Sequence, residues 1–255
     1  MSAYYEQLDD DRFRSTVATR GPWSPDHQHA GPPAALLGSA LAATLPIGRV
    51  TRITFEVLRP VPITDLTVST ELDRPGRRVA MASGTLADED GPLLLARAWA
   101  IRELEVDLPT ENEATMPGVT NAAPASFFDL PWDEGYHTSM ELRTTRGDFK
   151  EPGDAAVWFR CLVDLTDQAP ITPLERVLAA ADSGNGISAR MDPNEWLFVN
   201  TDLNVHLHDH PTSEWVGLDA ATRFGPDGIG LATSTVHGEQ GAIGVASQGL
   251  LVEPR

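Results

Sequence analysis

The 255-residue sequence predicts an α+β fold of two tandem units, each an antiparallel sheet wrapped around a central helix. Three observations lead there. A helical segment followed by four alternating strands occurs twice. Matching positions recur at nearly constant spacing: Pro33 and Pro173 lie 140 residues apart, Phe55 and Leu203 lie 148 apart, and Gly91 and Gly241 lie 150 apart. A stretch without periodicity, 106–136, separates the two copies.

The N-terminal unit, 1–105, begins with a strand candidate at Arg12–Thr19. Its helix is expected over Gly31–Ala43. Pro32 and Pro33 suit a first turn, where an N–H has no intrahelical partner, and small residues along one side allow close packing on a sheet. Arg52–Leu58, Leu66–Leu72 and Val79–Leu86 alternate as strands do, and Pro92–Ile101 closes the unit. Turn residues separate these runs: Arg59-Pro60-Val61-Pro62, Asp73-Arg74-Pro75-Gly76 and Asp88-Glu89-Asp90-Gly91.

Residues 106–136 are rich in Pro, Asp, Glu, Asn and Ala and read as a connector crossing the surface. The C-terminal unit, 137–255, opens with strand candidates at Ser139–Thr144 and Ala156–Leu165. Thr172-Pro173-Leu174-Glu175 has the pattern of a capping box, and the helix it starts carries Leu174, Val177, Leu178 and Ala181 on one face. Strands follow at Trp196–Leu207, Glu214–Thr222, Gly230–Gly238 and Gly244–Val252. Gly225-Pro226-Asp227-Gly228 and Glu239-Gln240-Gly241 stand where the first unit has its second and third turns.

Composition narrows the function. Apolar residues make up 41% of the chain, enough for a sizeable core. A net charge of −18 repels nucleic acid and anionic membrane surfaces, so no nucleic-acid partner is expected. No apolar run approaches the roughly 18 residues that a membrane span needs. The start, Met1-Ser2-Ala3-Tyr4-Tyr5-Glu6, has neither a basic nor an apolar leader region, and a cytoplasmic location is the expectation. Cys161 is the sole cysteine, which rules out an internal disulfide and a thiolate metal cluster; its strand-like setting, Val157–Val163, reads as structural. His206, His208 and His210 share a face in an extended strand, but Pro211 and the turn beyond put the later two at a strand end, so no metal site is expected.

Four segments carry a resemblance: Trp23 with His27-Gln28-His29-Ala30-Gly31-Pro32-Pro33, Ala181-Asp182-Ser183, Thr201-Asp202, and Ala246-Ser247-Gln248-Gly249-Leu250. With the layout above, the chain resembles the acyl-CoA thioesterase II family over nearly its whole length. The resemblance implies a double-hotdog fold and hydrolysis of an acyl-CoA to the free carboxylic acid and CoA, without metal or cofactor. In that family an Asp, a Thr or Ser, and a Gln of the second hotdog orient the hydrolytic water. Matched by motif, they fall on Asp182, Thr201 and Gln248, although the family's Gln-Glu-Gly run is Gln248-Gly249 here. His29 and Gly31 are then substrate-binding candidates, with backbone N–H groups of the first helix offered to the thioester oxygen and Gly31 allowing close approach. Arg143, Arg146 and Lys150 form a basic cluster able to meet the phosphates of coenzyme A. Exposed sheet edges leave room for a homo-oligomer.

The repeat offers a check that does not depend on the resemblance. Asp182, Thr201 and Gln248 correspond to Ala42, Ile53 and Ala98 in the first unit. A position that only fills space tolerates apolar chemistry in both copies, so the asymmetry indicates one working site and one structural half. Two other readings keep the same fold: an acyl-binding protein without turnover, and hydration of an enoyl-CoA. The latter wants an Asp and a His together at a helix start, whereas His29 has Asp26 in a loop.

Overall fold

The alternating segments pair into one antiparallel-rich sheet whose inner face holds the helices. The computed structural model describes residues 3–107 and 115–255. In the first half lie β1 (Ala3–Gln7), β2 (Arg12–Ser15), α1 (Gly31–Thr44), β3 (Arg49–Val57), β4 (Asp65–Arg74), β5 (Val79–Asp88) and β6 (Gly91–Ile101). After these come β7 (Ala123–Ala125), β8 (Met140–Asp148), β9 (Glu151–Cys161), β10 (Asp164–Thr166), α2 (Pro173–Ala181) and α3 (Gly184–Ile187). The chain ends with β11 (Trp196–Asn200), β12 (Asp202–Leu207), β13 (Trp215–Phe224), β14 (Ile229–Gly238) and β15 (Gly241–Pro254). The strand order is β10-β1-β2-β4-β5-β6-β3-β12-β15-β14-β13-β9-β8-β7, with β11 also on β15. The halves meet in the middle of the sheet, where β3 and β12 pair in antiparallel register, Thr54 opposite Asn204. They meet again where β1 runs parallel to β10.

Alternation decides which side chains enter the core. Ile53 and Phe55 of β3, Ala98 of β6, Leu203 and Val205 of β12 and Ala246 of β15 all point inward and are buried. Against them sits α1, whose prolines, alanines and leucines from Pro32 to Leu37 are all buried. α2 begins with the capping box: Glu175 N–H donates to Thr172 Oγ1, and Thr172 N–H donates to Glu175 Oε2 at 2.7 Å. The two helices touch along their lengths. A Cβ on Gly31 would fall 2.2 Å from the carbonyl oxygen of Ala179, so only glycine lets the backbones come this close. Toward the other end of α1, Ser39 Oγ donates to Glu175 Oε1 at 2.6 Å. α1 and α2 therefore run in opposite directions, and the N-terminus of α1 meets the C-terminus of α2.

Several expected elements differ in extent. The Arg12–Thr19 segment is a strand only to Ser15, and Val17–Thr19 is a 3-10 turn capped by Thr16. The Ala156–Leu165 run ends its strand at Cys161, and β10 leaves to join β1. Trp196–Leu207 is two strands, broken at Thr201. Within the connector, β7 pairs with β8 and Val119–Asn121 makes a 3-10 turn; residues 108–114 of the connector, like Met1 and Ser2, lie outside the described residues. Burial pushes the Cys161 thiol up to about 12, which makes it a poor nucleophile at neutral pH. Among the described residues, no helix is long and apolar enough to cross a membrane.

Candidate active site

The opposed helices bring the loop before α1 against the end of α2. Backbone hydrogen bonds shape that loop: Gly21 N–H donates to the His27 carbonyl and His29 N–H to the Thr19 carbonyl, both at 2.8 Å. Gln28 anchors it from below, accepting from the Tyr5 hydroxyl at 2.7 Å and donating to the Pro62 carbonyl at 2.7 Å. His29 is thereby held beside Asp182, the C-cap residue of α2, which is 5% exposed.

A buried carboxylate needs donors, and Asp182 has three side-chain partners. Oδ1 accepts from Gln248 Nε2 at 3.1 Å and from Asn200 Nδ2 at 3.0 Å. Oδ2 lies 3.2 Å from His29 Nδ1. Gln248, 2% exposed, also donates Nε2 to the Asp182 carbonyl and accepts the Asn185 N–H on Oε1, each at 3.1 Å. Both ends of this amide are thus assigned, and it locks the carboxylate to the start of α3. The Asn200 amide is oriented in the same way, because Nδ2 meets two acceptors, Asp182 Oδ1 and the Asp202 carbonyl.

His29 stacks on Tyr136, with ring centroids 3.8 Å apart and planes 7° from parallel. The Tyr136 hydroxyl donates to the Ala179 carbonyl at 2.7 Å and meets Ser183 Oγ at 3.0 Å. Burial holds the phenol well above its ordinary 10, so it stays neutral. Burial also pulls His29 below its ordinary 6.5, with the Asp182 carboxylate opposing that shift. A largely apolar cavity of about 430 Å³ opens on this group, lined by His29, Asp182 and Asn200 and walled by Trp23, Phe127 and Phe149 among others.

Of the residues singled out in the sequence, Asp182, Gln248 and His29 converge. Thr201 lines the cavity, but its hydroxyl contacts Asp202 Oδ1 at 3.3 Å and the Gly249 carbonyl at 3.4 Å, while its neighbour Asn200 reaches Asp182. The reason is a one-residue bulge. Asn200 stands opposite Leu250 and Asn204 opposite Ser247, so four steps on one side match three on the other. Gly31 packs against Ala179 and does not line the cavity; its N–H points at His29 Nδ1, 3.1 Å away. Pro32 and Pro33 have no N–H, which leaves the Ala30 N–H, without an acceptor among the described residues, as the donor on that side of the cavity.

Each member of the basic cluster has an acidic partner at the surface. Arg143 pairs with Glu141, Arg146 with Asp219 and Lys150 with Asp129. His208 and His210 turn to separate backbone carbonyls, of Ala242 and Val50. Sequence reasoning missed Asn200, Tyr136 and Phe149. A carboxamide ending the apolar strand Trp196–Asn200 was a usable signal for the first; the other two lie in or beside aperiodic segments, where spacing carries no information.

The structure superposes on a hot dog-fold protein of unknown function from Alicyclobacillus acidocaldarius at 15% identity, covering 100% of this chain and 97% of that one, with a TM-score of 0.75. It also matches the tesB protein of Mycobacterium avium subspecies paratuberculosis (18% identity, 98% and 96% covered, TM-score 0.69). The acyl-CoA thioesterase II TesB2 of Mycobacterium marinum is similar too (15% identity, 98% and 95% covered, TM-score 0.68). These likenesses establish a hotdog fold. A search of curated protein sequences returned no match. Family models describe residues 19–101 as an acyl-CoA thioesterase N-terminal domain and residues 116–252 as an acyl-CoA thioesterase C-terminal domain. With these models spanning both halves and meeting a hotdog fold, the chain belongs to the acyl-CoA thioesterase family.

Proposed function

We propose that this protein hydrolyses an acyl-CoA thioester to the free acid and CoA, at the single site around Asp182. The observation that carries the reading is a buried carboxylate fixed by Gln248, Asn200 and His29 at the wall of an apolar cavity. Family membership supports thioesterase chemistry; the assignment of roles to residues rests on this geometry.

In the proposed reaction a water lies between the Asp182–His29 pair and the thioester. Its oxygen attacks the carbonyl carbon while its proton passes to the Asp182 carboxylate. The Ala30 N–H stabilises the charge that develops on the carbonyl oxygen. The carbon–sulfur bond then breaks, and the leaving thiolate takes the proton back. Gln248 and Asn200 position the carboxylate. The Asn200 amide oxygen, unbonded among the described residues, and the Thr201 hydroxyl at the cavity wall are the groups available to orient the water.

The molecule reads as two hotdog units, 1–105 and 137–255, joined by 106–136. The order α1–β3–β4–β5–β6 reappearing as α2–β12–β13–β14–β15 supports that division. Ile53 and Ala98 pair across β3 and β6 in the core, so the first unit offers no polar counterpart there.

The test is thiol release from a panel of acyl-CoAs. Release above background with at least one acyl-CoA is expected, and its absence across the panel defeats the reading. The pH profile is informative as well. His29 must be singly protonated to work with Asp182, and burial lowers its pKa. The rate should therefore hold at neutral pH and fall as pH drops through a midpoint below 6.5. Between that midpoint and 6.5 the unfolded chain binds more protons than the folded one, so stability also falls as pH drops through that window. His29→Phe keeps a ring on Tyr136 and should lose about 10²-fold in rate together with the acid limb. A variant that keeps both removes His29 from the mechanism.

A further inference from the structure

We infer that the acyl group this site takes is compact, a short chain or a single ring, and that Phe149 sets the limit. The inference rests on the thioesterase reading and names its substrate class. The cavity of about 430 Å³ sits toward the lower end of ligand pockets, which span roughly 300–1,000 Å³. That volume must receive both the reactive end of the thiol carrier and the acyl group. Half-exposed Leu58 and the aromatic residues Phe127 and Phe149 are all part of its lining. There is space beyond those rings. A second hollow of about 310 Å³ lies on the far side, rimmed by Lys150, Glu151, Asp192 and Asn194. The two hollows share Phe128, Phe149, Gly186 and Phe198 as a common partition.

Phe149 is the part of that partition carried on a hairpin tip. It sits at the tip of the β8–β9 hairpin, where Lys150 N–H donates to Asp148 Oδ1 at 2.7 Å. Its ring lies 4.3 Å from that of Phe127 and 6.0 Å from that of Phe128. A Cβ on Gly186 would fall 2.8 Å from Phe149 Cε1, so the ring rests directly on the backbone of α3, just after Asp182. A chain growing away from Asp182 meets this ring edge or face. A compact or aromatic acyl group ends there with its apolar surface covered, whereas a long chain must displace the ring or bend back into solvent.

The experiment compares hexanoyl-CoA and phenylacetyl-CoA with submicellar tetradecanoyl-CoA, on wild type, Phe149→Ala and the milder Phe149→Leu. One methylene is worth roughly 10- to 200-fold in a tight apolar pocket. Wild type is expected to favour the compact substrates by at least about 10-fold in kcat/KM. Phe149→Ala, by joining the two hollows, should raise the tetradecanoyl-to-hexanoyl ratio by at least about 10-fold, and Phe149→Leu should move it the same way by less. Equal use of long and compact substrates by wild type overturns the inference, as does a ratio unchanged in whichever variant folds. Calorimetric binding of the same acyl-CoAs separates the two claims. Without any turnover the hydrolase reading fails, and the ratio of affinities, with the same expected change on substitution, still decides the inference.

Discussion

Asp182→Asn is expected to lower kcat by about 10²- to 10⁴-fold while leaving the fold intact. The substitution is clean because the site suits an amide. The asparagine Oδ1 can accept from Gln248 Nε2 and Asn200 Nδ2 as the carboxylate does now, at 3.1 and 3.0 Å. Its Nδ2 can donate to His29 Nδ1, where the carboxylate oxygen now stands 3.2 Å away, sharing that acceptor with the Gly31 N–H, with the His29 proton on Nε2. All partners stay satisfied, so unfolding free energy should change by no more than about 1 kcal/mol. What disappears is the group that takes a proton from water. Thiol release measured beside a thermal melt checks both halves of this expectation. More than a tenth of the wild-type rate in a well-folded variant would mean that the carboxylate is not the base.

Gln248→Leu should be costly to both stability and rate. The amide donates to the Asp182 carbonyl and carboxylate and accepts from the Asn185 N–H, all at 3.1 Å and all buried. Leucine leaves the Asp182 carbonyl and the Asn185 N–H without this partner, and Oδ1 of the carboxylate with Asn200 alone; an orphaned buried group costs roughly 1–3 kcal/mol, giving a loss of about 2–4 kcal/mol in total. The carboxylate also loses the donor that ties it to α3, and a displacement of about 1 Å at a reacting group costs on the order of 10²-fold. Denaturant unfolding with an unchanged slope, together with kcat on the folded fraction, measures the two effects separately. A variant as stable as wild type would show that Gln248 is a bystander in the core.

The hotdog fold was legible in the sequence, and so was part of the proposed site, for identifiable reasons. Helix and strand periodicities are local, and so is the Thr172–Glu175 capping box, which forms as its spacing predicts. Asp182 and Gln248 stood out through the family resemblance and because the first unit has Ala42 and Ala98 at the matching positions. They meet because of tertiary structure: α2 ends over the strand that carries Gln248. The choice of Thr201 over Asn200 shows where local reading stops. A bulge shifts the side-chain phase by one, and nothing in a strand's own alternation announces a bulge. Gly31 illustrates another limit. Its lack of a side chain serves helix–helix contact with Ala179, and a sequence does not tell a glycine facing a helix from one facing a ligand. Tyr136 and Phe149 come from the end of the connector and a hairpin tip, and only long-range packing makes them walls of the cavity.

The most direct test of the central claim is a single turnover of hexanoyl-CoA, with enzyme in excess, in water enriched in the heavy oxygen isotope. If a water held by Asp182 and its partners attacks the thioester itself, the released acid gains one heavy oxygen and the peptide containing Asp182 gains none. Unlabelled acid with label in the Asp182 carboxylate would show attack through an acyl-enzyme, and the water-activating role assigned to this site would be contradicted.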